Sequence, residues 1–401
     1  MKSAGGMPMK IGIFGGTFNP IHKGHLALIN RMIERLALDR LILMPAAVPP
    51  HKDAGEVLPA ADRVAMCRLA VAGDARVLVS TLEIERGGKS YTVDTLHDLK
   101  GVYPDDELIL LVGSDMFYTL TEWHCAGELL RMVRIAAIAR ESDELSHLFE
   151  QRDRLNAMGA RTEVVVAEPV VVSSTEIREH PEHEGLPEAV EQYIEQNGLY
   201  GRPRRIPVDL DELTGRLRAA LSRGRYTHTI NVASAALRLA KLHDGDGELA
   251  YLAGLLHDIC KEFSKDEMLN LLADSDIIKD PVFLASGRIW HGFAAAIYIQ
   301  RELSILNTQI IEAVRYHTTG RGGMSLLEEI VYLADLTSAD RRYPGVEALR
   351  ATAERSIPEA MLESLRFILG DLAKNGRPVT CDTLKAYNRY ALLTKEAPRQ
   401  A

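Results

Sequence analysis

GIFGGTFNPIHKGH, Gly12 to His25, decides the fold of the first half of the chain. It opens on an apolar run, reaches the pair Gly15–Gly16 and closes on helical spacing. Adjacent glycines let a backbone turn sharply and come close to a ligand. A helix starting near His22 presents unpaired N–H groups and the positive end of its dipole, which together attract an anion. His22 and His25 are three apart, so one helical turn puts both imidazoles on the same face.

The alternation of strand and helix continues to about residue 200. KIGIFGG, RLILMPA, RVLVSTLEI, ELILLVGSD, RIAAIAR and TEVVVAE read as strands, and HLALINRMIERLAL and ADRVAMCRLAVAG as amphipathic helices between them. The pattern predicts an α/β, doubly wound parallel sheet that binds ligands beyond the carboxyl ends of its strands. The texture changes at GRPRRIPVD, residues 201 to 209, a Pro-, Gly- and Arg-rich linker. After it, LDELTGRLRAALS, HTINVASAALRLAKLH, ELAYLAGLLHDICKEF, FAAAIYIQREL, TQIIEAVRYH and LLEEIVYLADLTSAD are all helical by periodicity. The chain is therefore multidomain: an α/β domain over 9–201, a linker over 202–209 and an all-α bundle over 210–395.

The length of 401 residues suits two domains of about 200 each. A formal charge of −9 and a pI near 5.8 argue against a general nucleic-acid binder. No apolar run is long enough for a membrane span, and MKSAGGMPMKIGIFGG lacks the apolar core of a signal peptide. Cys67, Cys125, Cys260 and Cys381 are far apart and form no C-x-x-C pair, which suits a reducing cytoplasm. A homo-oligomer is compatible with this composition.

LLHDIC, Leu255 to Cys260, places a carboxylate inside an apolar run. Burying Asp258 ionised and unpartnered would cost several kcal/mol. Lys261 and Lys265, at i+3 and i+7, are salt-bridge candidates; a metal ion is the alternative. His228, His291, His317 and Asp335 sit on or beside other helical segments. Four imidazoles and two carboxylates on separate helices are how bundles build metal sites.

The first half resembles the nucleotidyltransferase superfamily with an H-x-G-H motif, and within it the bacterial nicotinate-nucleotide adenylyltransferases. The carriers are GGTFNPIHKGH, PPHK (Pro49 to Lys52), SYTVDTL (Ser90 to Leu96), GSDM (Gly113 to Met116), Glu122–Trp123, VSSTEIR (Val172 to Arg178) and YIEQNGLY (Tyr193 to Tyr200), in that family's order. The resemblance implies transfer of AMP from ATP, with its Mg2+, to nicotinate mononucleotide. It gives His22 and His25 the ATP phosphates, with Gly15, Gly16, Thr17 and Phe18 lining the nucleotide. Ser174 and Thr175 would offer N-cap hydroxyls to the leaving phosphates and Arg178 a fixed cation. Trp123 would stack on the pyridine ring, Tyr91 and Thr92 lie by its carboxylate, and His51 and Lys52 approach phosphate. Gly113, Asp115 and Arg140 complete the nucleotide side. His124 stands where relatives often carry tyrosine, and Arg140 lacks the family's following proline and glycine.

The order His, His-Asp, His, His, Asp resembles the HD superfamily of metal-dependent phosphohydrolases. AGLLHDICKE, WHGFAAA, YHTTGRGGMSLLEEIVYLAD and Arg341 are similar to its YqeK-type subfamily, which hydrolyses diadenosine tetraphosphate symmetrically to two ADP. Six ligands are too many for one tetrahedral zinc and suit two metals about 3.5–4 Å apart sharing a carboxylate. The expected sets are His228, His257, Asp258 and Asp335 for one metal and Asp258, His291 and His317 for the other. The resemblance favours iron; imidazole and carboxylate ligands also suit manganese and zinc. Lys261, Thr318, Thr319 and Arg341 are expected at the polyphosphate. Alternatives for this half are a nucleotidase or phosphodiesterase, or an alarmone-binding regulatory domain. Neither half calls for a nucleic-acid or membrane partner.

Overall fold

A computed structural model describes residues 8–47, 57–139, 145–166, 172–180, 184–273 and 275–396. The chain forms two compact units, Met1–Ile194 with Tyr200–Arg202, and Glu195–Leu199 with Pro203–Ala401.

The first unit holds β1 (Lys10–Gly16), β2 (Arg40–Pro45), β3 (Val77–Val79), β4 (Glu107–Gly113), β5 (Arg134–Ala139) and β6 (Arg161–Val166). They form one parallel sheet in the order β3-β2-β1-β4-β5-β6. Central strands of such a sheet are covered on both faces, so they read as continuous apolar runs; Ile11, Leu41, Ile109 and Ile135 are all fully buried. The winding reverses between β1 and β4, and sheets of this kind bind ligands beyond the carboxyl edge at that switch point.

RVLVSTLEI departs from its reading as one strand. β3 is an edge strand with three partners on β2, and the chain then forms the helix Leu82–Arg86. Once the ladder ends, nothing opposes the helix preference of Leu-Glu-Ile-Glu-Arg.

The second unit is helical and has one large core. The segment read as a linker lies against it: Ile206 and Val208 pack on this core, and Arg204 pairs with Asp246. The expected helix over 248–263 is shorter. It spans Gly247–Leu256, and His257 to Glu262 follow as tight turns. The amides of Ile259 and Lys261 bond three residues back, to Leu256 and Asp258, so LLHDIC straddles a helix end.

Close helix crossings bring together the elements that carry the candidate ligands. A Cβ on Gly254 would lie 2.6 Å from Ala233 Cα, so only glycine lets Gly247–Leu256 rest on Arg223–Leu242, the helix carrying His228. Gly254→Ala should therefore destabilise the chain by about 1–3 kcal/mol. Gly370→Ala, at an exposed helical position with open space, should stabilise it by up to about 1 kcal/mol. Denaturant unfolding of both variants checks the opposite signs. Among the described residues, no helix is long and apolar enough to cross a membrane.

Candidate active sites

In the first unit GGTFNPIHKGH, SYTVDTL and GSDM meet the carboxyl edge of β1, β2 and β4. His22 caps the helix Lys23–Leu36 and is 6% exposed. Its ring lies 3.7 Å from that of His25, centroid to centroid. The His22 amide donates to His25 Nδ1 at 3.3 Å, which makes Nδ1 the acceptor and puts the ring proton on Nε2. The His25 ring also rests edge-on against Phe18, at 5.1 Å.

The turn is built differently from the reading of the sequence. Gly15 and Gly16 end β1 in extended conformation, and the left-handed residue is Phe18, at φ 48. Gly16 is required for space, since its Cβ would meet the buried Phe18 ring at 2.7 Å. The Lys23 amide, expected to face an anion, donates to Gly185 O at 2.8 Å.

The helix Ser174–Glu179 is tied to the same loop. Its N-cap is Ser173, whose Oγ accepts from the Glu176 amide at 3.1 Å. Ser174 and Thr175 are therefore not the N-cap hydroxyls. Ser174 Oγ donates to Pro20 O at 2.9 Å, and Arg178 donates to Asn19 O at 2.7 Å and Thr175 Oγ1 at 3.2 Å. Arg63 was missed. It is buried and donates to Thr17 O at 2.8 Å, Leu58 O at 3.0 Å, Ala46 O at 2.7 Å and Ala47 O at 3.2 Å, clamping the β1 loop to the β2 exit. Within the helix Ala60–Val71 nothing in the spacing distinguishes such an arginine from a surface one.

Ser90 Oγ accepts from the Ala47 amide at 3.1 Å and brings the next motif to the same edge. Tyr91 is the N-cap of the helix Thr92–Val102, and its ring packs tilted against His124, centroids 4.4 Å apart. Trp123 is half-buried against the core, and its Nε1 donates to Thr119 Oγ1 at 3.4 Å. Gly113 ends β4, and Asp115 follows, exposed, in Ser114–Tyr118. His51, Lys52 and Arg140 lie outside the described residues.

In the second unit the six expected ligands meet. His228, His257 and Asp258 form one buried group that could hold a metal, and Asp258, His291 and His317 another. Within each, the candidate donor atoms lie within 4.8 Å of one another. Asp258 serves both groups through different oxygens. Oδ2 faces His257 Nε2 at 3.5 Å and His228 Nε2 at 4.0 Å, while Oδ1 faces His291 Nε2 at 3.1 Å and His317 Nε2 at 3.7 Å. Asp335 Oδ1 is 3.0 Å from His228 Nε2.

Helix ends orient two of the imidazoles. His257 and His317 are C-caps, and each Nδ1 donates to the carbonyl three residues back, Gly254 O and Val314 O, at 2.7 Å. This satisfies orphan carbonyls and leaves Nε2 as a lone-pair donor aimed inward. The negative end of each helix dipole also favours a cation there. Gly292 lets His317 approach His291, since a Cβ would lie 2.9 Å from Arg315 O and 3.2 Å from the His317 ring.

These donors fit divalent cations. His257 Nε2 and Asp258 Oδ1 are buried and without a hydrogen bond. Burial brings the His291 pKa down to about 4, with nearby Asp258 pulling the other way, so its imidazole is a neutral donor near pH 7. Burial pushes the Asp258 carboxyl up, but the surrounding imidazoles, His257 first, hold it well below the usual carboxylate range.

Asp258's closest cation is Arg225, at 2.6 Å to Oδ2; Lys261 lies 3.6 Å from Oδ1. Lys265 instead covers the Trp290 ring, at 5.5 Å. Arg225, three residues before His228 on one helix face, was legible in the spacing and was missed. Lys261 Nζ also reaches His291 Nε2 at 3.0 Å, and Thr318 Oγ1 reaches His317 Nε2 at 3.0 Å. Arg341 holds Asp335, through the backbone carbonyl at 2.7 Å and through Oδ1. Thr319 departs from its expected place at the polyphosphate. It is buried, its carbonyl accepts from Thr383, and its hydroxyl makes no hydrogen bond.

Fold and side chains define a nucleotidyltransferase-type α/β unit joined to a helical unit with a candidate His/Asp metal cluster. Residues 13–180 match the cytidylyltransferase-like family model and residues 225–340 the HD domain model. A protein of Geobacillus thermodenitrificans named "probable nicotinate-nucleotide adenylyltransferase" is 38% identical over 48% of this chain and 86% of its own length. One of Dehalococcoides mccartyi with the same name is 39% identical over 48% of this chain and 98% of its own. Through its first half, the chain belongs to the nicotinate-nucleotide adenylyltransferase family. A Mycoplasma genitalium protein named "probable nicotinate-nucleotide adenylyltransferase/Ap4A hydrolase" is 26% identical over 90% of this chain and 98% of its own, spanning both units.

Proposed function

We propose that the first unit transfers AMP from ATP to the phosphate of nicotinate mononucleotide, giving nicotinate adenine dinucleotide and pyrophosphate. The second unit hydrolyses diadenosine tetraphosphate symmetrically to two ADP. The observation that carries the hydrolase is Asp258, whose two oxygens face two separate sets of imidazoles.

In the first unit an acceptor phosphate oxygen bonds to the α-phosphorus of ATP as the bond to the leaving pyrophosphate breaks. No covalent enzyme intermediate is needed, so the protein contributes position and charge. His25 Nε2–H and the adjacent His22 imidazole supply donors for the phosphates. Arg178 and Ser174, fixed to the Asn19–Pro20 loop, hold that loop in register with them. Magnesium arrives with ATP, mostly ligated by phosphate and water. The Tyr91–His124 pair, with Trp123 next to it in sequence, would offer a pyridine ring an aromatic side.

In the second unit His228, His257, Asp258 and Asp335 would hold one divalent metal, and Asp258, His291 and His317 the other. Bound there, the pair would supply Lewis-acid charge and lower the pKa of the attacking water. Iron is the metal inferred. Lys261, Thr318 and Arg225 surround the cluster with donors for a polyphosphate. Water adds to one central phosphorus, and one ADP leaves as the other forms. Four cysteines without a disulfide suit a reducing cytoplasm.

Acceptor preference tests the transferase reading. With ATP, nicotinate mononucleotide should be converted with a kcat/KM at least roughly a hundredfold above that of the nicotinamide nucleotide. Equal use of the two would overturn the assignment.

A further inference from the structure

His228 differs from the two helix-capping ligands in what holds its outer nitrogen. His257 and His317 donate Nδ1–H to backbone carbonyls. His228 lies within the helix Arg223–Leu242, and its Nδ1 instead meets a side chain, Asp340 Oδ2, at 2.8 Å. Asp340 is fixed in turn, because its Oδ1 accepts from Asn231 Nδ2 at 3.1 Å. Asn231 is three residues beyond His228 on the same helix, so ring, carboxylate and amide form a closed set. On the opposite side of the ring, His228 Nε2 faces Asp335 Oδ1 at 3.0 Å.

We propose that Asp340 is a positioning residue for the metal centre, setting the tautomer and orientation of His228; this rests on reading the six side chains as metal ligands. An ionised carboxylate only accepts, so Nδ1 must carry a proton. Nε2 is then left with its lone pair on the side of Asp335, His257 and Asp258. A carboxylate on the far nitrogen also strengthens the ring as a donor. The competing arrangement is an imidazolium shared by Asp335 and Asp340, an ion pair that needs no metal.

The chemistry of Asn231 selects the variant. Asn231 donates to Oδ1 and so claims the one oxygen that asparagine would keep at position 340. The new NH2 would then face His228 Nδ1 as a donor. That forces the proton to Nε2, the tautomer that cannot ligate. Asp340→Asn therefore inverts the tautomer while hardly changing shape, and Asp340→Glu keeps an acceptor.

The test is titration of the metal-stripped full-length chain with Mn(II), read by calorimetry and by electron paramagnetic resonance. Wild type should take up two equivalents. Asp340→Asn should bind one as wild type does and the other roughly 10- to 100-fold more weakly. Asp340→Glu should recover most of that loss. The metal-free melting temperature of Asp340→Asn should match wild type, which separates positioning from a structural role. Two equivalents bound with unchanged affinity by Asp340→Asn would overturn the proposal. So would a uniform weakening of both sites accompanied by a lower metal-free melting temperature. A wild-type chain that takes up no manganese would overturn the metal reading and this proposal with it.

Discussion

Asp258→Ala should remove bound metal and abolish tetraphosphate hydrolysis, while adenylyl transfer continues at the wild-type rate. Asp258 is 2% exposed, and its two oxygens face the two groups of imidazoles. On the proposed reading, removing it would take a shared ligand from both metals, and it leaves Arg225 and Lys261 without their carboxylate. Metal catalysis supplies several kcal/mol of barrier lowering, so hydrolysis should fall at least roughly a thousandfold. Arginine fills a different role in the competing account, in which Arg225 and Asp258 form a structural ion pair. That account predicts unfolding without a specific loss of metal. Metal analysis, circular dichroism and both activities on one preparation decide between them.

His22→Ala should have the converse effect. Adenylyl transfer should fall roughly 10²- to 10³-fold, the scale for losing one group that stabilises transition-state charge. Hydrolysis should be unchanged. The His22 and His25 rings are in contact, and the His22 amide fixes the His25 tautomer through the backbone, which alanine preserves. The defect should therefore appear mainly in kcat, with ATP still bound. Loss of both activities would show that the two sites are not independent.

The sheet was legible because its strands are covered on both faces and announce themselves as apolar runs. β3 was overread because an edge strand can stop after three residues without any signal in composition. The six candidate ligands could be picked out by residue type and order, since imidazoles within apolar helices have few structural reasons to recur. Their geometry could not. Spacing gave no sign that LLHDIC straddles a helix end, and that end orients the His257 ring. Arg63 and Asp340 act through long-range hydrogen bonds, to Thr17 O and to His228 Nδ1, and no local pattern encodes such partners. Of the turn expected at the glycine pair, Gly16 supplies the room for the Phe18 ring, and Phe18 itself takes the left-handed conformation.

The most direct measurement is the metal content of anaerobically purified full-length protein, taken alongside the products it forms from diadenosine tetraphosphate. Two metal equivalents per chain, mainly iron, with ADP as the sole nucleotide product, is the predicted result. AMP together with ATP, or no turnover with both metals bound, would contradict it.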